Sequence, residues 1–417
     1  MPAHQLAWAL AACTTAAVIL RPLRWTEAVW ACIGAALAVL LGLLPLADAW
    51  HAIGKGLDVY LFLGGMMLLS EVARREGLFE WLAGIAVNHA NGSPARLFGL
   101  VYLVGTGVTV LLSNDATAVV LTPAVFAVAR RAEAPALPLL LICALIANAA
   151  SFVLPVSNPA NLVVFGSHMP PLAEWARRFW LPSAAAIAVT WLMLRFTQRK
   201  ALIGQCAPAV PVAPLSGHGK VALAGIGVTA TALLLVSALG LALGLPTLIL
   251  GVLTAAIVTI SQRVSPLPLL RGVAWSVLPL VAGLFVMVDM LARAGLMADV
   301  GRGLHGLMQH SEPVAAATAG VAIAALSNVI NNLPAGLIGA SVMAAQHLPD
   351  RVADSLLIGV DLGPNLSVTG SLATILWLGV LRREGLEVGF WAFLKTGALV
   401  MPPALAAAIV VRILLGA

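Results

Sequence analysis

Short polar clusters interrupt the apolar runs of this sequence, and two of them hold a carboxyl group with no basic residue inside the cluster. These carboxyl groups are Asp115, in Ser113-Asn114-Asp115, and Asp361, in Asp361-Leu362-Gly363-Pro364. Burial in a low-dielectric surrounding disfavours the charged form of a carboxyl group, so such a group can exchange a proton in the working range. Asp115 and Asp361 are therefore candidate proton carriers. The alternative is that each caps the N-terminus of a half-helix.

The other polar residues of these clusters carry hydroxyl or amide side chains, or are glycines that leave the backbone accessible. Hydroxyl and amide groups can hydrogen-bond a small neutral or weakly polar molecule without supplying charge. A carboxylate-bearing substrate is expected to recruit Arg or Lys, and the clusters contain neither, although a half-helix N-terminus can hold an anion alone. The candidate binding residues are Ser113, Asn114, Ser157, Asn158, Asn161, Asn331, Asn332, Thr369, Gly370 and Ser371.

The composition places these clusters in a polytopic α-helical membrane protein. Of all residues, 61% are hydrophobic and only 10% are charged, whereas soluble domains carry roughly 25% charged residues. The apolar runs are long and do not alternate as the strands of a membrane β-barrel do. The net charge of +6 arises from Lys and Arg near span ends, so it reports topology and does not indicate nucleic-acid binding.

The clusters break runs that are too long for one membrane span. The run from Leu97 to Arg131 has 35 residues, whereas a span needs about 20. A carboxylate in hydrocarbon costs at least ~2.5 kcal/mol. The arrangement with the lowest cost is two half-helices that meet near the midplane and face a protein-lined cavity. The alternative for a single cluster is a kinked helix with a buried, satisfied Asp-Asn pair.

The sequence also repeats itself. Three pairs of segments match in the same order along the chain: 71–78 with 289–296 at an offset of 218, 114–115 with 331–332 at 217, and 146–158 with 358–370 at 212. Three ordered matches indicate an internal duplication. Two repeats that each contain interrupted helices are the best sequence indication of the binding site of a secondary transporter.

The repeats predict the organisation of the chain. Residues 1–200 form a first transmembrane half with broken helices near 113–117 and 151–161. A linker covers residues 201–219. Residues 220–417 form a second half with broken helices near 327–334 and 361–371. The predicted fold is all-α, with about ten transmembrane helices plus broken helices or re-entrant hairpins. For Glu71/Arg75 and Asp289/Arg293, the spacing of four residues predicts ordinary ion pairs.

The sequence lacks the residue patterns of an enzyme or a metal site. The four cysteines are scattered and form no CxxC pair, so a disulfide scaffold or thiolate metal site is not expected. GxxxxGK[ST] and HExxH are absent, so the chain is not expected to hydrolyse ATP or to be a metalloprotease. No nucleophile–base pair is visible at membrane depth. We therefore expect no cofactor, no bound metal and no enzymatic activity.

At these clusters the chain resembles the arsenical pump membrane protein family, the arsenite efflux carriers of the ion transporter superfamily. The resemblance covers nearly the whole chain, and its most specific block is Thr369-Gly370-Ser371-Leu372-Ala373-Thr374. The other matching stretches are Ser113-Asn114-Asp115-Ala116 through Leu121-Thr122-Pro123, Ser157-Asn158-Pro159-Ala160-Asn161, Asn331-Asn332-Leu333-Pro334, and Asp361-Leu362-Gly363-Pro364.

The resemblance implies that the two repeats are inverted and that the substrate is held at the broken helices. It implies export of arsenite and antimonite in exchange for protons, and hence arsenical resistance. The implied location is the cytoplasmic (inner) membrane of a bacterium or archaeon. A soluble arsenite-stimulated ATPase, which some members use, is a candidate partner. The chain departs from the family pattern at Asn148, where members carry Asp; this departure removes one candidate proton carrier, or shows that it was never essential.

Arsenite suits the candidate binding residues because it is mostly an uncharged trihydroxide near neutral pH. The first alternative within the same superfamily is a sodium-coupled anion or dicarboxylate carrier, which is expected to show Ser-Asn-Thr at both hairpins. This chain instead has Ser157-Asn158-Pro159 and Thr369-Gly370-Ser371. A channel is the second alternative, since paired broken helices also build pores.

Overall fold

A computed structural model describes residues 3–20, 22–165, 169–346 and 348–416 of the chain, and within these ranges it contains helices and no β-strand. A helix satisfies its own backbone hydrogen bonds, as an apolar chain in a bilayer requires. The helices of the first half are α1 (Ala3–Leu20), α2 (Glu27–Leu40), α3 (Leu46–Lys55), α4 (Leu57–Arg75), α5 (Leu78–Ala90), α6 (Pro94–Leu111), α7 (Asn114–Ala116), α8 (Thr122–Arg131), α9 (Ala136–Ala149), α10 (Pro159–Phe165) and α11 (Leu172–Gln198).

A π turn over Thr117–Leu121 joins α7 to α8. Residues 199–216 contain no helix, and they precede the predicted second half. The helices of the second half are α12 (Gly217–Ala238), α13 (Gly244–Gln262), α14 (Leu267–Gly272), α15 (Val277–Arg293), α16 (Leu296–His310), α17 (Glu312–Ile330), α18 (Asn332–Gln346), α19 (Asp350–Leu362), α20 (Leu372–Arg383) and α21 (Phe390–Leu414).

Fewer helices than the predicted ten are long enough to cross a membrane alone. Within the described residues, six helices are both long enough and apolar enough to do so. The number is seven if α3 and α4, which are bent by 47° at their junction, form one span. The predicted broken elements explain the difference, because interruption divides a span into short pieces. α9 has 14 residues and α20 has 12, which is below the ~20 that a single span needs. The total of about ten spans stays a prediction, as does the inversion of the repeats.

The two halves pack against each other through corresponding helices. α4 of the first half packs on α13 of the second, and α15 of the second packs on α2 of the first. Gly65 and Gly283, which lie 218 residues apart, permit these two contacts. A Cβ atom on Gly65 would lie 2.3 Å from the carbonyl oxygen of Thr247, and one on Gly283 would lie 2.8 Å from the backbone of Ala31. Small residues thus let the backbones approach closely, as in other membrane helix pairs.

The acid–arginine pair of α4 also links the halves. Glu71 accepts a hydrogen bond from Arg75 Nε at 2.7 Å and one from Arg74 Nη2 at 2.6 Å, so the predicted ion pair is present. Arg75 also donates to the carbonyl oxygen of Pro268, beside the start of α14. Glu71 and its arginines thereby hold the short helix that precedes α15.

The corresponding pair of α15 makes the reciprocal contact. Asp289 Oδ2 lies 3.6 Å from Arg293 Nε, as the spacing predicted. Asp289 also accepts a hydrogen bond from Lys55 at 3.0 Å, and Arg293 pairs with Asp48 at 2.8 Å. Both partners lie on α3, the short helix that precedes α4. Each half therefore binds the short helix of the other half through the same repeated acid and arginine.

A buried charge cluster connects α11, α19 and α21. Asp354 of α19 is fully buried and accepts a hydrogen bond from Arg412 of α21 at 2.6 Å; the side chain of Arg412 is only 3% exposed. Arg178 of α11 lies 3.4 Å from the other carboxylate oxygen of Asp354. This cluster was not predicted from the sequence, although charged residues inside apolar runs are a signal for it.

Candidate substrate site at four helix starts

Each of the four interruptions ends in a helix whose first turn is capped by the preceding side chain. Ser113 Oγ accepts from the N–H of Ala116 at 3.2 Å, and Ser371 Oγ accepts from that of Thr374 at 3.1 Å. Ser and Asn are favoured caps because their side-chain oxygens bond amide groups that have no partner within the helix. At the other two helix starts, the N–H of Ala160 donates to Asn158 Oδ1 at 3.0 Å, and the N–H of Leu333 donates to Asn331 Oδ1 at 3.4 Å.

The backbone before these helices is arranged differently in the two halves. Ser113 is extended, with a φ of 179°. Asn331 has a φ of 78° and a ψ of 155°, which lies outside the left-handed helical region and is strained for a residue with a side chain. α7 and α18 start at Asn114 and Asn332, which are 218 residues apart. The structural offset is therefore 218 and not the 217 of the sequence match, and Asp115 corresponds to Leu333.

Within each half, the second interruption is hydrogen-bonded to the first. Ser157 Oγ donates to the carbonyl oxygen of Val110, near the end of α6, at 3.0 Å. In the second half the N–H of Asn332 donates to the carbonyl oxygen of Gly370 at 2.9 Å. These contacts hold the two helix starts of each half side by side.

The four helix starts converge on one small cavity. Its lining includes residues from each of them, together with Leu63 and Val277. The cavity measures about 10 Å³, which is room for about one water molecule. Its polar side chains are Asn114, Asp115, Asn158 and Asn332, and none of the described lining residues is Lys or Arg. The central cavity thus combines helix N-termini, which carry partial positive charge, with three amides and one carboxyl group.

A larger vestibule of about 470 Å³ adjoins the central cavity. Four residues line both spaces and form the boundary between them, namely Leu63, Asp115, Pro159 and Val277. α4 and the segment around Ser113 form much of the vestibule wall. Its lining also contains charged residues, namely Glu71, Arg74, Arg271, Arg383 and Glu384. Asp115 is half-buried and lies where the vestibule meets the central cavity.

Asp361 lies behind the central cavity and is connected to it through Asn158. Asn158 Nδ2 donates to Asp361 Oδ1 at 2.8 Å, and Asn158 itself lines the cavity. Asp361 is fully buried, and its Oδ2 has no hydrogen-bond partner among the described residues. Asn158 therefore connects the cavity to this carboxyl group through a hydrogen bond.

Asn148 and Asp361 each lie one residue before the end of their helix, α9 and α19, so the structure offsets them by 213 residues, one more than the sequence repeat. Asn148 Nδ2 donates to Asn365 Oδ1 at 3.0 Å, and Asn365 in turn donates to the carbonyl oxygen of Leu145 at 2.9 Å. An ionised Asp could not donate the first of these bonds. The departure at Asn148 is thus accommodated by a contact between the halves that an amide can make.

The remaining predicted site residues bind the backbone of the interruptions. Asn161 Nδ2 donates to the carbonyl oxygen of Ser151 at 2.9 Å, and Thr369 Oγ1 donates to that of Asn328 at 3.0 Å. Asn331 lines a separate apolar cavity and not the central one. Asn114, Asp115, Asn158 and Asn332 are therefore the predicted residues that the fold brings together around one space.

Asn328 and Ser367 are two polar residues of the site that the sequence analysis missed. Asn328 Oδ1 accepts hydrogen bonds from both the N–H and the hydroxyl of Ser367, at 3.0 and 2.8 Å, and its Nδ2 donates to the carbonyl oxygen of Gly363 at 2.9 Å. These bonds tie α17 to the interruption after α19. Both residues lie inside apolar runs, next to residues we did select, so their polarity was the available signal.

Gly370 provides a direct test of this packing. A Cβ atom at Gly370 would lie 2.5 Å from Pro364 Cα and 2.8 Å from Asn328 Oδ1. We expect Gly370→Ala to displace the Gly370 carbonyl group from Asn332 and to lower transport several-fold, measured as substrate flux in membrane vesicles at equal carrier content. The matched control is Gly379→Ala on α20, where nothing lies within 4 Å. Equal flux in the two variants would contradict the expected role of this contact.

Known proteins resemble the chain along most of its length. A sequence model of the citrate transporter family matches residues 15–360. The arsenical pump membrane protein of Escherichia coli is 28% identical over 390 residues, which cover 90% of each chain. An uncharacterized transporter of Mycobacterium tuberculosis is 28% identical over 400 residues, again 90% of each chain. The crystal structure of the Alcanivorax borkumensis YdaH transporter shares the fold with a TM-score of 0.58, at 18% identity over 92% of this chain and 96% of that one.

Proposed function

The chain belongs to the citrate transporter family of membrane transporters, and we propose that it is a secondary carrier that exports arsenite and antimonite across the cytoplasmic membrane in exchange for protons. The central cavity is the observation that carries the proposal. Four helix starts, three amides and one carboxyl group converge there, and no Lys or Arg is among the described lining residues. The similarity to arsenical pump membrane proteins supports this choice of cargo.

The chemistry of the cavity suits a small neutral trihydroxide. Arsenite presents three O–H groups on a compact centre, and the side-chain oxygens of Asn114, Asp115 and Asn332 can accept such donors. Asn332 Oδ1 is buried and has no partner within the described chain, and an unpaired buried acceptor favours binding of a donor. The present volume of about 10 Å³ requires that the helix starts separate when the cargo enters, as alternating access entails.

Proton coupling is assigned to Asp361, with Asp115 as the group that exchanges protons with the vestibule. Asp361 receives one amide hydrogen bond and contacts no cation among the described residues. An ionised carboxylate here would be buried with no cation to balance it, which favours Asp361 as the site of the transported proton. Asn158 lines the central cavity and also bonds Asp361, so cargo that contacts Asn158 acts on the residue next to the proposed proton site.

A carrier of carboxylate anions is the second candidate function. Helix N-termini attract anions, and the central cavity has four of them. The citrate transporter family model points to the same class of substrate. A citrate-like anion carries several negative charges, and the cavity lining offers no side-chain cation to balance them. For this reason we place the carboxylate carrier second.

Transport in everted membrane vesicles separates the candidates. Vesicles from cells that lack their own arsenite carriers receive a proton gradient and radiolabelled or mass-quantified arsenite, with and without a protonophore. Our proposal predicts concentrative uptake that the protonophore collapses. Uptake of citrate or a dicarboxylate, driven by sodium or protons, with none of arsenite, would keep the fold and overturn the function. Equilibration without accumulation would indicate a channel. Adding a soluble arsenite-stimulated ATPase tests the proposed partner.

Cysteine thiolates are not part of the proposed site. Cys13 and Cys32 are exposed, Cys143 and Cys206 are buried, and all four are free; none of them lines the central cavity. We expect the variant with all four replaced by Ala or Ser to retain arsenite transport within about twofold of the parent, because the proposed contacts are hydrogen bonds. Complete loss of arsenite transport in a folded cysteine-free protein would point to thiolate binding.

A further inference from the structure

A second cavity, of about 590 Å³, lies between α1, α15, α17 and α18. The second cavity corresponds in position to the vestibule. The vestibule is lined by α4 and the start of α7, and the second cavity is lined by the corresponding elements of the other half, α15 and the start of α18. The corresponding lining positions, each 218 residues apart, are Met66 and Leu284, Ser70 and Val288, Ser113 and Asn331, and Asp115 and Leu333.

The second cavity is the more apolar of the two spaces, although Thr14, Thr15, Glu27 and Asn331 also line it. Ser70 and Asp115 of the vestibule are replaced by Val288 and Leu333 in the second cavity. Among its described lining residues there is no Lys or Arg, and Glu27 is the one acidic residue. Polar partners are what hold water in a cavity, and cavities lined by Leu, Ile and Phe stay dry. Water therefore suits the vestibule and hydrocarbon suits the second cavity.

The second cavity is open on its outer side. Of its rim residues, Ala12 and Ala16 of α1 are exposed, and Val329 of α17 is 63% exposed. α17 is long and apolar enough to span the membrane, so apolar residues exposed on its surface face the bilayer. The lining of α1 runs from Trp8 to Val18, which is about 15 Å along the helix axis. That length is half of the ~30 Å hydrocarbon thickness, that is, one leaflet.

We propose that an acyl chain of a bilayer lipid occupies this cavity. The chain enters between α1 and α17 and reaches Asn331 and Leu372, at the helix starts of the second half. Bilayer lipid is the occupant because the opening, the apolar lining and the length all match one leaflet of hydrocarbon. The inference does not depend on the identity of the cargo. A negative result for lipid binding would therefore leave the proposed transport function untouched, and the reverse also holds.

Photocrosslinking in nanodiscs tests the proposal with the full chain. The probe is a phosphatidylcholine that carries a diazirine within one acyl chain, and mass spectrometry locates the crosslinks. Leu284 and Val288 are only 9% and 5% exposed, so lipid around the protein surface alone cannot label them efficiently. We expect crosslinks at both. We expect Ala16→Trp and Val329→Trp, which obstruct the opening, to lower this labelling several-fold. Labelling of Ile257 on α13, which is 54% exposed, should remain unchanged as the surface control.

The second measurement compares the thiol reactivity of two single-cysteine variants, so it does not depend on the folding of the Trp variants. In the cysteine-free background, Ser70→Cys in the vestibule should react with a membrane-impermeant thiol reagent, and Val288→Cys in the second cavity should not. Fast reaction of Val288→Cys would show a water-filled space and overturn the proposal. Labelling of Leu284 and Val288 no stronger than that of the fully buried Ile358 would overturn it as well.

Discussion

Replacing Asp361 by Asn is expected to abolish gradient-driven arsenite transport while the protein stays folded. Asn fits the same space, and an amide at this position can still bond Asn158, but it cannot carry a proton. Asp361 is fully buried and its Oδ2 has no partner in the described chain, so little structural stabilisation depends on its charge. The measurement is arsenite accumulation in everted vesicles under a proton gradient, with melting temperature and membrane content as checks on folding.

The matched control is Asp48→Asn. Asp48 pairs with Arg293 at 2.8 Å, and both side chains are more than one-third exposed; such pairs contribute little to stability. Transport by this variant should equal that of the parent.

Asp115→Asn tests the proposed route to the vestibule and should also lose proton-dependent export. Normal transport by both Asp361→Asn and Asp115→Asn would remove the coupling assignment.

Replacing Asp354 by Leu is expected to cause the largest loss of stability. The change leaves Arg412, whose side chain is 3% exposed, without its carboxylate, and leaves Arg178 with Glu174 and Asp350. Breaking a buried ion pair from one side costs about 3–5 kcal/mol because a charge remains buried and uncompensated. The measurement is the free energy of unfolding in detergent, or the melting temperature where unfolding is irreversible.

The double variant Asp354→Leu/Arg412→Met distinguishes a charge effect from a packing effect. Removing both members of a buried pair is often nearly neutral, because neither desolvated charge remains. The double variant should therefore be more stable than Asp354→Leu alone. A double variant as unstable as the single one would mean that the shape of these side chains, and not their charge, holds α19 against α21.

The sequence by itself determined the class and the chemistry of this protein. With 61% hydrophobic and 10% charged residues, only a chain that satisfies its backbone within helices is stable in hydrocarbon. The acid–arginine pairs at 71/75 and 289/293 could be anticipated because a helix brings residues four apart together. Asn, Ser, Gly and Pro inside apolar runs indicated the interruptions, since these residues are costly in an unbroken span.

Only the tertiary structure decided which of those polar residues face a common space. Asn114, Asp115, Asn158 and Asn332 line the central cavity, whereas Asn161 and Thr369 bond the backbone. The lining of the cavity depends on contacts between residues far apart in the sequence, such as Asn158 with Asp361, which no local spacing encodes. The burial of Asp354 among Arg178 and Arg412 has the same origin. It arises where α11, α19 and α21 meet, and the low-dielectric interior makes those distant charges depend on one another.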